Sequence, residues 1–438
     1  MNLTRTFLRR ELKLAMLAGS LLTAVSWGQT LSVTPDHADG KYLAGETAKW
    51  LVEVKGGTPA EASYIVKKGG LKEIAKGKCA LTAAKGEIIA PALTEPGSLL
   101  VEVSVTGTGE KAVKELSGAM FSPEKIQPSA PRPADFDAFW KAKLAELATI
   151  APNPKLEPGD SGKPTIDYWK ISLDNIRGTH IQGQLARPKQ GEKFPALLVV
   201  QWAGVYPLQK GWAVDRANEG WLVLNIEAHD LPIDQPAAFY KEQSEGPLKD
   251  YPAIGNDDRD TSYFLRMYLS CHRAAEYLTQ RPDWDGKILV VTGGSQGGLQ
   301  GLVTAALHPK VTGVSVGVPA GCDMTGPDAG RMPGWPMWYW KTQNKDEKKV
   351  REASRYYDVV NFAPLVKCPV LIGVGLVDQT CPPEGVYAAF NLLAGPKEIV
   401  LLPRANHGDK NGSHGNYYKR MGAWMGDLRQ GKPAPVLP

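Results

Sequence analysis

Two kinds of apolar periodicity divide this chain. Across residues 31–121 apolar positions alternate with polar or smaller ones, as in Ala48-Lys-Trp-Leu-Val-Glu-Val54 and Ser98-Leu-Leu-Val-Glu-Val-Ser-Val-Thr106. A period of two sends successive side chains to opposite faces of a strand, so one face of each run is built to be buried. Glycine pairs at Gly56-Gly57 and Gly69-Gly70 punctuate the runs. Short strands at such spacing predict a small all-β sandwich of immunoglobulin-like type over residues 29–122. No cluster of catalytic residue types falls within it. A packing or spacer module is the more frequent use of such a domain, and glycan binding is the alternative.

Residues 123–133 hold Pro123, Pro128, Pro131 and Pro133 and read as a linker. The period then changes. Over 135–148, Phe136, Phe139, Trp140, Leu144 and Leu147 share one face of an amphipathic helix. Runs at 166–173 and 179–186 predict a hairpin around Asn175-Ile-Arg-Gly178. Beyond it, continuous apolar strands at 196–202, 221–226, 287–292, 311–318, 369–377 and 397–402 alternate with helices at 262–279, 299–307, 382–393 and 417–428. Strands apolar on both faces and interleaved with helices predict an α/β domain over residues 134–438, its sheet mainly parallel and flanked by helices.

The N-terminus has a third pattern. Arg5, Arg9, Arg10 and Lys13 precede an apolar run at 14–27 that is short for a bilayer span, and Ser26 and Gly28 supply a small-x-small cleavage signal. Residues 1–28 are therefore expected to be a signal peptide directing export to the periplasm or the medium, with an uncleaved anchor as the alternative. Without the leader's four basic residues and Glu11, the formal charge of +5 falls to about +2. A nearly neutral chain excludes nucleic-acid binding by bulk charge. After signal cleavage no stretch is apolar and long enough to hold the chain in a membrane. The five cysteines, an odd number, exclude a fully paired framework, and Cys368 and Cys381 bracket a strand too long for a disulfide to span. With no Cys-x-x-Cys and no His-x-x-x-His, a structural zinc site is not expected.

The candidate chemistry centres on Lys287-Ile-Leu-Val-Val-Thr-Gly-Gly-Ser-Gln-Gly-Gly-Leu299. An apolar strand stops at two glycines, presents Ser295, and continues through two more glycines into a helical pattern. Gly293 and Gly297 stand where a strained strand-to-helix turn leaves no room for a Cβ. The same five-residue pattern recurs at Gly313-Val-Ser-Val-Gly317, but there alternation continues and no helix follows, so Ser315 reads as a strand residue.

A serine nucleophile needs a base, and the base an orienting acid. In parallel sheets such groups gather at the C-terminal ends of strands. Leu371-Ile-Gly-Val-Gly-Leu-Val-Asp378 ends on a carboxylate, and Lys397-Glu-Ile-Val-Leu-Leu-Pro-Arg-Ala-Asn-His407 ends beside an imidazole. The chain order Ser295, Asp378, His407 is that of the α/β-hydrolases. His407 follows its strand more closely than His414, which is expected to be solvated. His229 is the other rival, but it precedes the serine. Backbone donors for an oxyanion are expected from Gln296, at the start of the helix, and from Val205 in the loop after Val199-Val200-Gln-Trp-Ala-Gly-Val-Tyr206. Trp202 and Tyr206 are candidate substrate contacts or ordinary core residues. The aromatic stretch Arg331-Met-Pro-Gly-Trp-Pro-Met-Trp-Tyr-Trp340 offers Trp335 and Trp338 as pocket walls, or else as the core of a lid or an oligomer contact.

Thr292-Gly-Gly-Ser-Gln-Gly-Gly298, Tyr356-Tyr-Asp-Val-Val-Asn-Phe362, Val374-Gly-Leu-Val-Asp-Gln-Thr-Cys-Pro-Pro383, Ala388-Ala-Phe-Asn-Leu-Leu-Ala-Gly-Pro-Lys-Glu398 and Asn406-His407 resemble, in this order, motifs of carbohydrate esterase family 7. That family comprises acetyl xylan esterases and cephalosporin C deacetylases. The resemblance runs from about Pro133 to the C-terminus. It implies an α/β-hydrolase fold, a triad of Ser295, Asp378 and His407, no metal or cofactor, acetyl esters of sugars as substrates, and association of identical chains. Three positions depart from the family. Glu227-Ala-His-Asp230 stands where an Arg-Gly-Gln motif is expected, Val205 where a tyrosine is, and Gly408-Asp409 follows the histidine. The β module is an addition. Other sugar esters such as the glucuronoyl linkage, a prolyl-oligopeptidase-like peptidase and a glycan-binding protein with a decayed site are the competing functions.

Overall fold

The computed structural model of the protein describes residues 29–106 and 112–432, so the expected leader at 1–28 lies outside the described residues. The alternating runs after it pair into two sheets. β1 (Thr30–Pro35), β3 (Lys49–Lys55) and β6 (Lys85–Ile89) form a three-stranded antiparallel sheet, ordered β1-β3-β6. β2 (Lys41–Tyr42), β4 (Glu61–Lys68), β5 (Lys72–Ala80), β7 (Gly97–Val105) and β8 (Val113–Phe121) form the second, ordered β2-β8-β7-β4-β5. The inward positions of both, among them Val33, Trp50, Val52, Val66, Val101 and Phe121, make one core, as period-two patterning requires.

The second region is built on a nine-stranded sheet of β9 (Lys155–Gly159), β10 (Ile166–Asp174), β11 (His180–Pro188), β12 (Phe194–Val199), β13 (Leu222–Ile226), β14 (Trp284–Gly294), β15 (Gly313–Gly317), β16 (Val370–Gly375) and β17 (Lys397–Leu402). Its order is β17-β16-β15-β14-β12-β13-β11-β10-β9, parallel from β17 to β13 and antiparallel beyond. The helices are α1 (Phe136–Ala148), α2 (Gly211–Asn218), α3 (Ala237–Glu245), α4 (Tyr263–Gln280), α5 (Gln296–Leu307), α6 (Glu347–Ser354), α7 (Val359–Phe362), α8 (Pro383–Leu392) and α9 (Gly415–Arg429). Consecutive strand residues serve opposite faces. Leu198, Leu224, Val291 and Ile372 join α1, α4, α5 and α8 in one cluster. Leu197, Val223, Val290 and Leu371 join α2 and α9 in another. Covering both faces is what makes the central strands continuously apolar. This is an α/β-hydrolase arrangement preceded by a β sandwich.

Most element boundaries shift by one to three residues from expectation, and two of the shifts have a clear physical reason. The strand expected over 311–318 stops at Gly317, because Val318 turns to φ 41°. The helix expected from residue 299 starts at Gln296. Glycine disfavours helix by about 1 kcal/mol, but here close packing overrides that preference: a Cβ on Gly297 would meet the Val200 oxygen at 2.6 Å, and one on Gly298 would meet Pro319 Cα at 2.8 Å.

The sandwich packs on the region that carries Asp378. Gly118 lies so close to Leu376 that a Cβ there would stand 2.3 Å from the Leu376 carbonyl oxygen. The Ser98 amide donates to the Glu384 carboxylate at 2.5 Å, and the Met332 amide to the Gly69 carbonyl at 3.0 Å. The proline-rich stretch is a tethered strap: the Ser129 hydroxyl donates to Asp323 at 2.7 Å, and Arg132 Nε to the Asn361 carbonyl at 2.9 Å. All five cysteines are free thiols, four of them buried. Among the described residues no helix is long and apolar enough to cross a membrane.

Candidate active site

Ser295 caps α5 at φ 56°, ψ −120°, a conformation that side chains seldom adopt and that costs about 1–3 kcal/mol. The neighbouring glycines permit it. A Cβ on Gly293 would meet the Val200 oxygen at 2.8 Å, and one on Gly297 would meet it at 2.6 Å. The Ser295 amide donates to the Gly317 carbonyl at 2.9 Å, and the Ser295 carbonyl accepts from the Ala320 amide at 2.9 Å, which fixes the turn against β15. Ser295 is 9% exposed, and its hydroxyl faces a cavity of about 990 Å³.

His407 Nε2 lies 2.9 Å from Ser295 Oγ, and His407 Nδ1 lies 2.8 Å from Asp378 Oδ2. A carboxylate accepts, so Nδ1 carries the proton and the Nε2 lone pair faces the serine hydroxyl. The other oxygen of Asp378 accepts the Thr380 and Cys381 amides, each at 2.8 Å, and the residue is 2% exposed. A fully satisfied buried carboxylate of this kind holds an imidazole in one tautomer and one orientation. The two amide partners belong to the turn that joins Asp378 to the proline pair opening α8. Their sequence signal is an aspartate just past a strand end, whose side chain can accept from backbone amides two and three residues on.

Donor atoms of Asp378, Cys381 and His407 fall within 4.8 Å of one another. This set does not suit a metal. The aspartate and histidine atoms already bond each other, and burial pushes the Cys381 thiol well up from its usual range, away from the thiolate that a metal requires.

The remaining candidates divide. His414 is 5% exposed, not solvated: its Nε2 lies 3.0 Å from the Asn406 carbonyl, so it braces the residue before His407. His229 is also buried, with Nδ1 on the Tyr263 hydroxyl at 2.7 Å and Nε2 on the Gly204 carbonyl at 2.9 Å, so neither nitrogen serves the serine. Trp338 is not a pocket wall. It is 1% exposed, packs on Phe264 and Tyr357, and donates from Nε1 to the Pro252 carbonyl at 2.8 Å. Nearby Trp335 does line the cavity. Trp202 also lines it, 46% exposed, with Tyr206 stacked behind at 5.2 Å and Trp212 edge-on at 5.0 Å. Val205 turns its side chain against the core, and Gln201, Trp202 and Ala203 form the wall beside Ser295. Trp212, Tyr417 and Tyr418 also line the cavity; no local pattern marks them, because α2 and α9 meet the site only through the fold. Glu227, in the departing motif, is 2% exposed, and burial pushes its carboxyl up to about 8.

A serine, a histidine and an aspartate linked in series beyond the C-terminal ends of β14, β17 and β16 have the geometry of a serine-hydrolase triad on an α/β-hydrolase sheet. Residues 122–420 match the model of the acetyl xylan esterase family (AXE1), and the chain belongs to that family. It is 35% identical over 382 residues to the acetyl esterase Axe7A of Xylanibacter ruminicola, covering 85% of each chain. That match is longer than the stretch from residue 122 to the C-terminus, so it reaches into the β module. Among solved structures, the acetyl xylan esterase 1 of Thermoanaerobacterium sp. JW/SL YS485 superposes with TM-score 0.61 at 24% identity, over 70% of this chain and 97% of its own. The acetyl xylan esterase of Paenibacillus sp. R4 gives TM-score 0.60 at 22% identity, over 70% and 98%. At these identities the superpositions establish the fold alone.

Proposed function

We propose that this chain is an exported serine esterase that removes acetyl groups from acetylated xylan or xylo-oligosaccharides. The observation that carries the reading is the unbroken chain from Ser295 Oγ through His407 to Asp378, with links of 2.9 and 2.8 Å, opening on a cavity. His407 Nε2 takes the Ser295 proton as Oγ attacks the acetyl carbonyl carbon. The carbonyl oxygen becomes an oxyanion, held by the Gln296 and Val205 amides, and the positive end of the α5 dipole favours it. Collapse of the tetrahedral species breaks the bond to the sugar oxygen, which leaves with the proton from His407. Water, deprotonated by the same nitrogen, then cleaves the acetyl-enzyme to acetate and restores Ser295. Asp378, bonded to Nδ1, stabilises the imidazolium.

The half-exposed Trp202 ring, stacked on Tyr206, offers an apolar face to a sugar ring, and Trp335 also lines the cavity. The family's motifs and the acetyl esterase relative support the acetyl group as the one removed. Export rests on the basic and apolar pattern of residues 1–28. Wild type and Ser295→Ala are compared on an aryl acetate, acetylated xylan, a uronic acid methyl ester and a proline peptide. Release of acetate by wild type alone is expected. Acetyl esterase activity surviving in Ser295→Ala would sink the mechanism, and activity confined to the methyl ester or the peptide would sink the substrate class.

A further inference from the structure

Behind the loop that follows β12 lies a buried cluster to which the ester chemistry above assigns no part. His229 is 1% exposed, with Nε2 2.9 Å from the Gly204 carbonyl oxygen and Nδ1 2.7 Å from the Tyr263 hydroxyl. A carbonyl only accepts, so Nε2 carries the ring proton and Nδ1 accepts from Tyr263. Tyr263 can give its proton because its oxygen accepts from Arg266 Nη1 at 2.8 Å. Burial holds the His229 imidazole down at about 4, so near neutral pH it is an uncharged donor with one fixed tautomer.

Against the His229 ring stands Tyr251, edge-on with centroids 4.6 Å apart. Its hydroxyl donates to Gln296 Oε1 at 2.5 Å. Gln296 Nε2 in turn faces the Gln201 carbonyl at 3.4 Å, tying the first residue of α5 to the loop after β12. One histidine–tyrosine pair therefore touches both segments that supply the proposed oxyanion donors.

The peptide that His229 grips joins Gly204 to Val205. In a trans peptide the C=O and N–H point in opposite directions. A donor that holds the Gly204 oxygen inside the protein therefore turns the Val205 N–H away from the cluster. Gly204 adopts φ 135°, where an L side chain is strained, so the glycine permits the orientation and the histidine bond pins it.

We propose that His229 and Tyr251 are positioning residues for the oxyanion-binding site. His229 fixes the Val205 N–H through the Gly204 carbonyl, and Tyr251 fixes the Gln296 N–H through that residue's side chain. The inference rests on the reading of those two amides as oxyanion donors. It also gives a defined role to Glu227-Ala-His-Asp230, which replaces the Arg-Gly-Gln of the family, since His229 holds the loop after β12 from behind. Oxyanion donors act on charge that develops only in the transition state, so misaligning them lowers kcat and leaves KM nearly unchanged.

The test measures kcat and KM on an aryl acetate for the full chain carrying His229→Leu, His229→Gln or Tyr251→Phe, with thermal melting of each. His229→Leu is expected to lower kcat about 30- to 100-fold with KM within about threefold, somewhat less than outright deletion of an oxyanion donor. His229→Gln is expected to recover most of that loss, because its amide N–H reaches the same carbonyl. Tyr251→Phe is expected to lower kcat about 5- to 20-fold, as loss of one supporting hydrogen bond. Should His229→Leu fail to fold, His229→Asn, whose amide stops short of the carbonyl, replaces it with the same expectation. The inference is overturned if the Leu or Asn variant keeps kcat within threefold of wild type, or if a well-folded Gln variant is as impaired as the Leu variant. Activity retained in Ser295→Ala would instead overturn the underlying esterase reading. An inactive Ser295→Ala beside a near-normal His229→Leu overturns the positioning role alone.

Discussion

Two neighbouring strands carry the same Gly-x-Ser-x-Gly pattern and use it in opposite ways. β14 runs through Gly293-Gly-Ser-Gln-Gly297 into α5, and β15 is Gly313-Val-Ser-Val-Gly317. They pair in register, Thr292 opposite Ser315 and Gly294 opposite Gly317. Ser295 turns to positive φ and faces the cavity, whereas Ser315 stays extended, fully buried, with Oγ 3.2 Å from the Tyr417 hydroxyl. What differs is the obstacle beside the outer glycines. At Gly293 and Gly297 a Cβ would strike backbone, the Val200 oxygen. At Gly313 and Gly317 it would meet side chains, Leu428, Trp424 and Tyr417, at 3.0 Å or more. Glycine is compulsory in the first strand and a packing choice in the second.

The largest expected separation is in activity. Ser295→Ala should lower kcat/KM on an aryl acetate by about 10⁶-fold, as removing a triad nucleophile does elsewhere, while Ser315→Ala leaves it within twofold. A second serine able to support turnover would erase the contrast. Next comes the acid that only the first serine has at its disposal. Asp378→Asn should cost about 10⁴-fold in kcat by favouring the wrong histidine tautomer. A loss below tenfold would mean that His407 is oriented by something other than this carboxylate.

The contrast also marks how much the sequence discloses. The strand runs, the strained turn at Ser295 and the carboxylate and imidazole at two later strand ends are all visible in it, because each is a local pattern. The fate of Trp338 is not. Its partners Phe264 and Tyr357 lie on distant segments, so an aromatic stretch reads alike whether it turns inward or lines a pocket. His414 reads as solvated from its place next to the last helix, but the chain folds it onto the Asn406 carbonyl. β9 has no signal at all: all five of its residues are exposed, and it exists only through its backbone pairing with β10. The proposed Val205 donor is an expectation from its place in the loop after a strand, whereas the bond from His229 to the Gly204 carbonyl depends on β13 lying beside β12, which no local pattern records.

Stability should separate the paired glycines less dramatically. Gly297→Ala forces a Cβ to 2.6 Å from the Val200 oxygen, which cannot move without disturbing β12. A loss of about 2–3 kcal/mol by chemical denaturation is expected, together with impaired activity as the serine turn shifts. Gly317→Ala meets a side chain, Tyr417 Cε1 at 3.0 Å, and no backbone atom as close. It should cost about 1 kcal/mol or less. Equal losses at the two positions would show that the backbone obstacle is not what distinguishes them.

The smallest effect belongs to the second serine itself. Ser315→Ala removes one neutral hydrogen bond to Tyr417 from a site with no exposure. The Tyr417 hydroxyl then loses that partner inside the protein, and burial already holds its proton on firmly. Such deletions cost about 0.5–1.5 kcal/mol. The ring of Tyr417 packs beneath Gly317 and Gly373, where Cβ atoms would approach it to 3.0 and 2.6 Å. Its position is therefore set by backbone on two strands rather than by the hydroxyl bond. Ser315→Ala should accordingly melt slightly early with kcat and KM unchanged. A change in either constant would mean that the hydroxyl pair, and not the glycine packing, holds Tyr417 against the cavity.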